Sequence, residues 1–379
     1  MLRFTPRTAS PLLAFLLVSA LGHAQQSGTL APAPADPLKR TAEVMPLAEH
    51  SLILDIARSG KRIIAVGERG HVLYSDDEGN SWTQSAGVPL RSTLTAVAAV
   101  GSDAWAVGHD GVILHSADAG ETWEIQRRDP RGQPGEGIAD DIRQGAPFLD
   151  VLFTDASHGI AIGAYSLLLE TTDGGRHWNG ARMQMLTNTD AAAADAAMEK
   201  EQQAHTDNDM QSSVFSADEL KIGQESDPHL NGITRTGSGD YVIVGERGAI
   251  FRSTDGGRNW QRSQLPYDGS MFGIVGFEGQ HVLAFGLRGH VFESTDLGVT
   301  WNELPTGSEL SLMGGVALAD GGAVVVGANG IVLYRARASD ELKTYTESAA
   351  GVIAGVLPLG SDGALLIASE NGLSRIQPK

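Results

Sequence analysis

Residues 65–82 read AVGERGHVLYSDDEGNSW, and the same 18-residue stretch returns four times more. The later copies are 106–123 (AVGHDGVILHSADAGETW), 161–178 (AIGAYSLLLETTDGGRHW), 243–260 (IVGERGAIFRSTDGGRNW) and 284–301 (AFGLRGHVFESTDLGVTW). A sixth copy from Val325 loses the acidic turn and the tryptophan, and a seventh from Ile367 is further worn. Gly67 and Gly108 are 41 residues apart, as are Gly245 and Gly286, and Gly286 and Gly327. That period is one four-stranded propeller blade. The reading is an all-β chain, a seven-bladed β-propeller of four-stranded antiparallel blades, carrying a partly helical insertion.

Each unit reads as strands A to D outward from the axis. In blade two these are Leu94–Val100, Ala104–Gly108, Val112–Ser116 and Thr122–Arg127. A three-residue turn ending in Gly joins B to C, a standard hairpin signal. The element Ser-x-Asp-x-Gly-x-x-Trp follows strand C and is the Asp-box of the BNR repeat. Its acids are Asp77, Asp118, Asp173, Asp255 and Asp296, and its tryptophans are Trp82, Trp123, Trp178, Trp260 and Trp301. An Asp in a tight turn accepts backbone N–H groups, Gly supplies positive φ, and Trp packs between blades. These residues read as structural staples, and no metal or cofactor is expected at them.

Arg3 and Arg7 precede an apolar run, Leu12 to Leu21, followed by Gly22-His23-Ala24. This is the layout of a secretory signal peptide at 1–24, too short to span a bilayer, with no cysteine to carry a lipid. Residues 25–37 form a polar Pro/Ala linker and 38–379 the propeller. The expectation is an exported, periplasmic protein with no membrane insertion after signal cleavage, and a monomer by itself. The chain has no cysteine and a formal charge of −18, which becomes −20 once Arg3 and Arg7 are lost. Excess negative charge argues against nucleic acid as a partner.

Strand A of the seven blades begins near Leu52, Leu94, Leu149, Ile233, Phe272, Met313 and Val352. The last blade ends after three strands, so Lys39–Met45 is expected to supply its outer strand and cover an open edge. Two insertions break the period: an excess of 14 residues at about 128–144 and of 41 at about 186–229. Within the second, Asp190–His205 reads as a helix capped by Thr189, and Ser216 with Glu219 forms a capping box for a shorter one.

In an up-and-down blade the D→A connections and B–C turns share one side, the A–B turns and Asp-boxes the other. Both insertions thus join the B–C turns, which carry Arg69, Arg247 and Arg288 at one register. Asp110, Tyr165, Asn329 and Asn371 hold that register elsewhere. The three arginines suit a carboxylate or acidic tail, although a Gly-terminated turn accepts most polar residues there. Other groupings are weaker. His205, Asp207 and Asp209 lack the Gly and terminal Glu of a cation loop; Glu136, Asp140 and Asp141 have no fixed separation; His109, His115 and His177 do not share a face.

The Val-Gly-x-x-Gly hairpins followed by Asp-boxes, at this period behind a signal peptide, resemble the photosystem II stability/assembly-factor-like family over residues 40–379. The resemblance implies a seven-bladed propeller without catalytic residues, acting as a protein-binding scaffold or assembly factor for a membrane-protein complex. It links the photosynthetic members to photosynthesis through nascent reaction-centre protein, with arginines on one face implicated. In non-photosynthetic proteobacteria it implies a periplasmic protein often encoded near RND-type exporters, so an envelope membrane protein is the expected partner. Asp-boxes also occur in sialidases, which makes a sialidase-like glycoside hydrolase or a glycan-binding propeller the alternative. Against hydrolysis, Arg40-Thr41-Ala42 does not fit the Arg-Ile-Pro expected there, and no Tyr pairs with a Glu by spacing.

Overall fold

Strand B of every blade is a nearly continuous apolar run, such as Ile63–Val66, buried on both faces. Such runs belong between layers, not at a surface. The computed structural model describes residues 40–129, 145–180, 227–319, 321–360 and 363–378. The signal peptide, the linker, most of both insertions, the helices expected at 190–205 and from Ser216, and the groupings at 136–141 and 205–209 lie outside these residues.

The described residues form seven antiparallel sheets, six of four strands and one of three. Blade one comprises Ile53–Ser59, Arg62–Gly67, Val72–Ser75 and Thr83–Gln84. Strand A of each blade packs on strand A of the next, and that of blade seven (Ile353–Pro358) packs on that of blade one. The ring is a seven-bladed propeller. All seven A strands carry a bulge at one register, for instance between Ile53 and Asp55 and between Leu230 and Gly232. The residue after the bulge is Ala96, Gly232, Gly273, Gly314 or Gly355 in five blades, and Asp55 or Asp150 in the others. Small side chains let the strands crowd the axis.

The core is seven separate apolar clusters, each shared by two consecutive blades. The turn after strand C builds five of them. Ser75 Oγ donates to Asp77 Oδ1 at 2.8 Å and accepts the Gly79 N–H at 2.9 Å. The Ser81 N–H and hydroxyl close on the same carboxylate at 2.9 and 2.6 Å. The pattern repeats at Asp118, Asp173, Asp255 and Asp296. It aims the tryptophan backwards: Trp260, 1% exposed, packs with Ile160, Ile162 and Leu168 of blade three. Trp123 packs against blade one, and Trp82, Trp178 and Trp301 sit half-buried in their own preceding-blade clusters.

Blade six has no Asp-box, and a different device stands there. Arg335 occupies the register of the Asp-box serine, 2% exposed, and its Nη2 donates to Glu293 Oε1 of blade five at 2.6 Å. His281 Nε2 meets the same oxygen at 2.8 Å, and the guanidinium lies over the Phe277 ring at 5.8 Å. Burial opposes ionisation of Glu293, but Arg335 and His281 together hold its pKa below the ordinary value. A buried ion pair thus joins blades five and six where the acidic turn is lost.

Ring closure departs from expectation. Thr41–Met45 does not become the outer strand of blade seven, which stays three-stranded (Ile353–Pro358, Leu365–Ser369, Gly372–Ile376) among the described residues. The segment lies on blade one instead. Ala42 N–H donates to the Val88 carbonyl at 2.8 Å, Arg91 Nε to the Thr41 carbonyl at 2.9 Å, and the Gln84 amide brackets Glu43 and Met45. Burial of Ala42 among Val88 and Leu90 decides the choice. What the N-terminal chain does supply is the missing D→A connection. A Cβ on Gly70 would strike the Leu90 carbonyl, four residues before strand A of blade two. A Cβ on Gly372 would strike the Glu49 carbonyl, four residues before strand A of blade one.

Trp260→Ala should destabilise the propeller by about 3–5 kcal/mol, the range for deleting a buried aromatic. Arg128→Ala, at an exposed site, should change stability by less than about 0.5 kcal/mol. Denaturant midpoints of the two variants check this.

Candidate partner-binding rim

The B–C turns have one shape. In blade one Gly67 is extended, Arg69 is left-handed (φ 57°) and Gly70 has φ 72°. A Cβ on Gly67 would strike the Leu52 carbonyl ahead of strand A, so the turn is pressed onto the start of its own blade. At the Arg69 register every blade from one to six is left-handed: Asp110 (63°), Tyr165 (56°), Arg247 (54°), Arg288 (55°) and Asn329 (53°). The D→A connections lie beside these turns, as the contact of Gly70 with Leu90 and of Gly248 with Tyr267 shows. The A–B turns lie with the Asp-boxes: Ala119 N–H donates to Ser102 at 2.7 Å and Leu297 N–H to Gln280 at 2.9 Å.

The ring does not bring the three arginines together. Arg247 and Arg288 stand on adjacent blades four and five; Arg69, on blade one, has two blades between it and each of them. Arg69 is 68% exposed and meets its neighbour Glu68 at 3.7 Å. Arg288 is exposed and has no ion pair among the described residues. Asp110 takes the Ser92 hydroxyl at 2.6 Å, Tyr165 meets His229 edge-on with ring centres 5.0 Å apart, and Asn329 is exposed. Asn371 Nδ2 donates to the Ala349 carbonyl at 3.0 Å. Val44 and Leu47, both more than 60% exposed, add apolar surface on the segment that lies along blade one.

The histidines are dispersed. His115 bridges Asp103 (2.9 Å) and Glu124 (3.5 Å), His177 meets Asp173 at 2.7 Å, and His109 is in the blade-two turn. Among the described residues no three His, Cys, Asp or Glu side chains are grouped to hold a metal.

Two carboxylates near the axis were not singled out in the sequence. Asp55 Oδ1 accepts the Ile56 N–H and Oδ2 the Val97 N–H of blade two, each at 2.8 Å. Asp150 accepts Val151 at 2.8 Å and Ile233 of blade four at 2.9 Å. Thr95 and Asn231 make similar ties to the carbonyls of Phe148 and Met271, each at 2.8 Å. Blades one to four therefore tie strand A to the next blade through side chains. Burial raises the Asp55 pKa to about 7, the Val97 N–H opposing and the Asp150 charge adding to it, and raises Asp150 to about 6. The signal available in the sequence was an acid inside an apolar strand at one register, as in ILDIA and FLDVLF.

Fold and rim define an Asp-box propeller with a mixed-sign loop face. A family model described as photosynthesis system II assembly factor YCF48 matches residues 37–139 and 138–202. The photosystem II assembly lipoprotein Ycf48 of Synechococcus sp. (strain CC9902) is 27% identical over 148 residues, which is 37% of this chain and 43% of that protein. The match thus spans less than half of that relative's length. The structure of YCF48 bound to D1 peptide aligns at a TM-score of 0.60 and 14% identity, over 87% of this chain and 95% of that one. YCF48 from Cyanidioschyzon merolae aligns at 0.57 and 16%, over 89% and 99%. The chain is a seven-bladed propeller that is similar to the Ycf48 proteins over residues 37–202 and shares their fold. Among the described residues no helix is long and apolar enough to cross a membrane.

The pH dependence follows from two opposed groups of acids. Asp55 and Asp150 keep their protons in the folded protein where the unfolded chain has lost them. The stability they confer is full below about pH 4 and is lost as pH rises through about 6 and then about 7. Asp77 and Asp173, held at about 2 first by the Ser81 and His177 side chains, confer stability above about pH 4 that is lost as pH falls towards 2. Urea midpoints should therefore fall between pH 5 and pH 8. In the double variant Asp55→Asn, Asp150→Asn that fall should shrink, whatever the variant's absolute stability.

Proposed function

We propose that this protein is an exported, non-catalytic scaffold that holds a segment of an envelope membrane protein while a complex is assembled or stabilised. The observation that carries the reading is the assembly-factor match over 37–202 on a chain whose B–C rim has non-glycine residues in the left-handed region in six blades. An L residue there costs on the order of 1 kcal/mol, and Gly or Asn would be cheaper than Arg or Tyr. Arg69, Tyr165, Arg247 and Arg288 present long or aromatic side chains from that conformation, which suits a contact surface. Asp110 and Asn329 complete the proposed contact set. Arginine forks suit carboxylates of a partner segment, and a mixed-sign rim suits a salt-sensitive contact. The related YCF48 that was solved with a D1 peptide supports a membrane-protein segment as the kind of ligand. The resemblance favours an RND-type exporter as the partner outside photosynthetic membranes, with the periplasm as the compartment.

The five Asp-box carboxylates are committed to their own turns, which leaves them no part in glycoside hydrolysis. Mature protein assayed on aryl glycosides should release no phenol. In a pull-down from its own envelope fraction it should capture a membrane protein. Arg69→Glu, Arg247→Glu, Arg288→Glu should keep the melting temperature and reduce that capture at least about tenfold, the order of two rim charge contacts. Undiminished capture would remove the rim from the function.

A further inference from the structure

The outermost strand of blade seven, Gly372–Ile376, has a partner on one side only among the described residues. In an antiparallel sheet alternate residues of such a strand turn their N–H and C=O groups outward. The other six blades fill this place with a strand D. Here the N-terminal chain fills the connection position, at Glu49, and then departs to blade one. Among the described residues no strand takes that position, and part of the wall it would have covered stays open on blade six. A cleft of about 150 Å³ lies there, lined by Val332, Tyr345, Thr346 and Glu347 of blade six and by Ile376 and Pro378 of blade seven.

We propose that this open edge is a docking site for an extended segment of a partner protein, which adds as the fourth strand of blade seven. One apolar side chain of that segment enters the cleft, with a Lys or Arg beside it. Outward amide and carbonyl groups at strand spacing are matched by another extended backbone and by little else. Side chains along Gly372–Ile376 already alternate, Ile376 towards blade six and Leu373 towards blade one. An added strand continues that alternation. Its inward residue reaches Tyr345 and Ile376, as Ile125 of blade two's own strand D (Glu124–Arg127) packs on the cluster shared with blade one. Glu347 is the one charged side chain of the lining and has no ion pair among the described residues, so it selects a cation. Thr41–Met45 does not compete, because its hydrogen bonds and the burial of Ala42 hold it on blade one. This surface is separate from the arginine rim, and the proposal stands or falls independently of it.

The probe is a fluorescein-labelled peptide AGETWEIQRR, the sequence of residues 119–128, titrated against the full-length mature protein. Saturable one-to-one binding is expected, with slowed amide exchange confined to 372–376 and the facing wall at 345–347. A peptide N-methylated at alternate residues facing the edge should bind at least about tenfold more weakly, the loss of two backbone hydrogen bonds. Glu347→Lys should weaken binding severalfold with an unchanged melting temperature. Equal binding by the N-methylated peptide, or no slowing at 372–376, overturns the proposal. So does an edge already protected in the free protein: as a monomer the chain covers itself, and as a dimer a second copy is the occupant.

Discussion

Five of the seven interfaces in the ring depend on one small hydrogen-bonded unit, the serine or threonine that donates to the Asp-box carboxylate and accepts the N–H of the glycine two residues after that acid. The unit fixes two consecutive left-handed residues, Glu78 and Gly79 in blade one and Ala119 and Gly120 in blade two. That reverses the chain within one turn and presents glycine and tryptophan to the preceding blade. Gly120 faces Ile64, and Trp123 lies in the same cluster. The carboxylate is satisfied locally, which holds it ionised and leaves the apolar ring free to be buried. A blade thus brings its own fastening to its neighbour, and a core made of seven separate clusters can be assembled by repetition.

The fastenings are not uniform around the ring. Blades one to five use the Asp-box. Blade six substitutes a buried Arg335–Glu293 pair, which demands close geometry because either charge left alone would be costly. Blade seven has neither, so its junction with blade six rests on apolar packing, while its junction with blade one is fastened by blade one's own Asp-box, through Trp82 and Gly79, and by polar ties such as Arg375 to Asn80 at 2.7 Å. Near the axis the asymmetry runs the same way, with side-chain ties in blades one to four and small residues beyond. The ring is most strongly cross-linked where the repeat is best preserved and most open where it is worn.

That gradient bears on use as well as stability. A platform that binds a segment of another protein needs a rigid body and at least one surface whose groups are not already spent. The B–C rim supplies the exposed guanidiniums of Arg69 and Arg288 on left-handed turns. The worn end supplies a strand edge and a cleft. Both lie where the repeat either tolerates any polar side chain or has lost its outer strand, so neither disturbs the fastenings between blades.

How much of this was legible in the sequence depends on the range of the forces involved. The fold was legible because its determinants are local and repeated: the spacing of Gly67 and Gly108, the alternation in the strands, and the Ser75–Asp77–Gly79–Trp82 turn each act within a few residues. The shared side of the B–C turns and D→A connections follows from the same regularity. Tertiary structure decided what depends on residues far apart in the chain. Whether Thr41–Met45 covers blade seven or blade one is a competition between two distant surfaces, won by the pocket that buries Ala42. The separation of Arg69 from Arg247 and Arg288 is set by where blades fall around a circle, which register alone does not give. The role of Arg335 needed Glu293 of another blade, and the raised pKa values of Asp55 and Asp150 needed the crowded axis. Local hydrogen bonding and periodicity are written in the order of residues; burial and charge pairing between blades come into being only when the ring has closed.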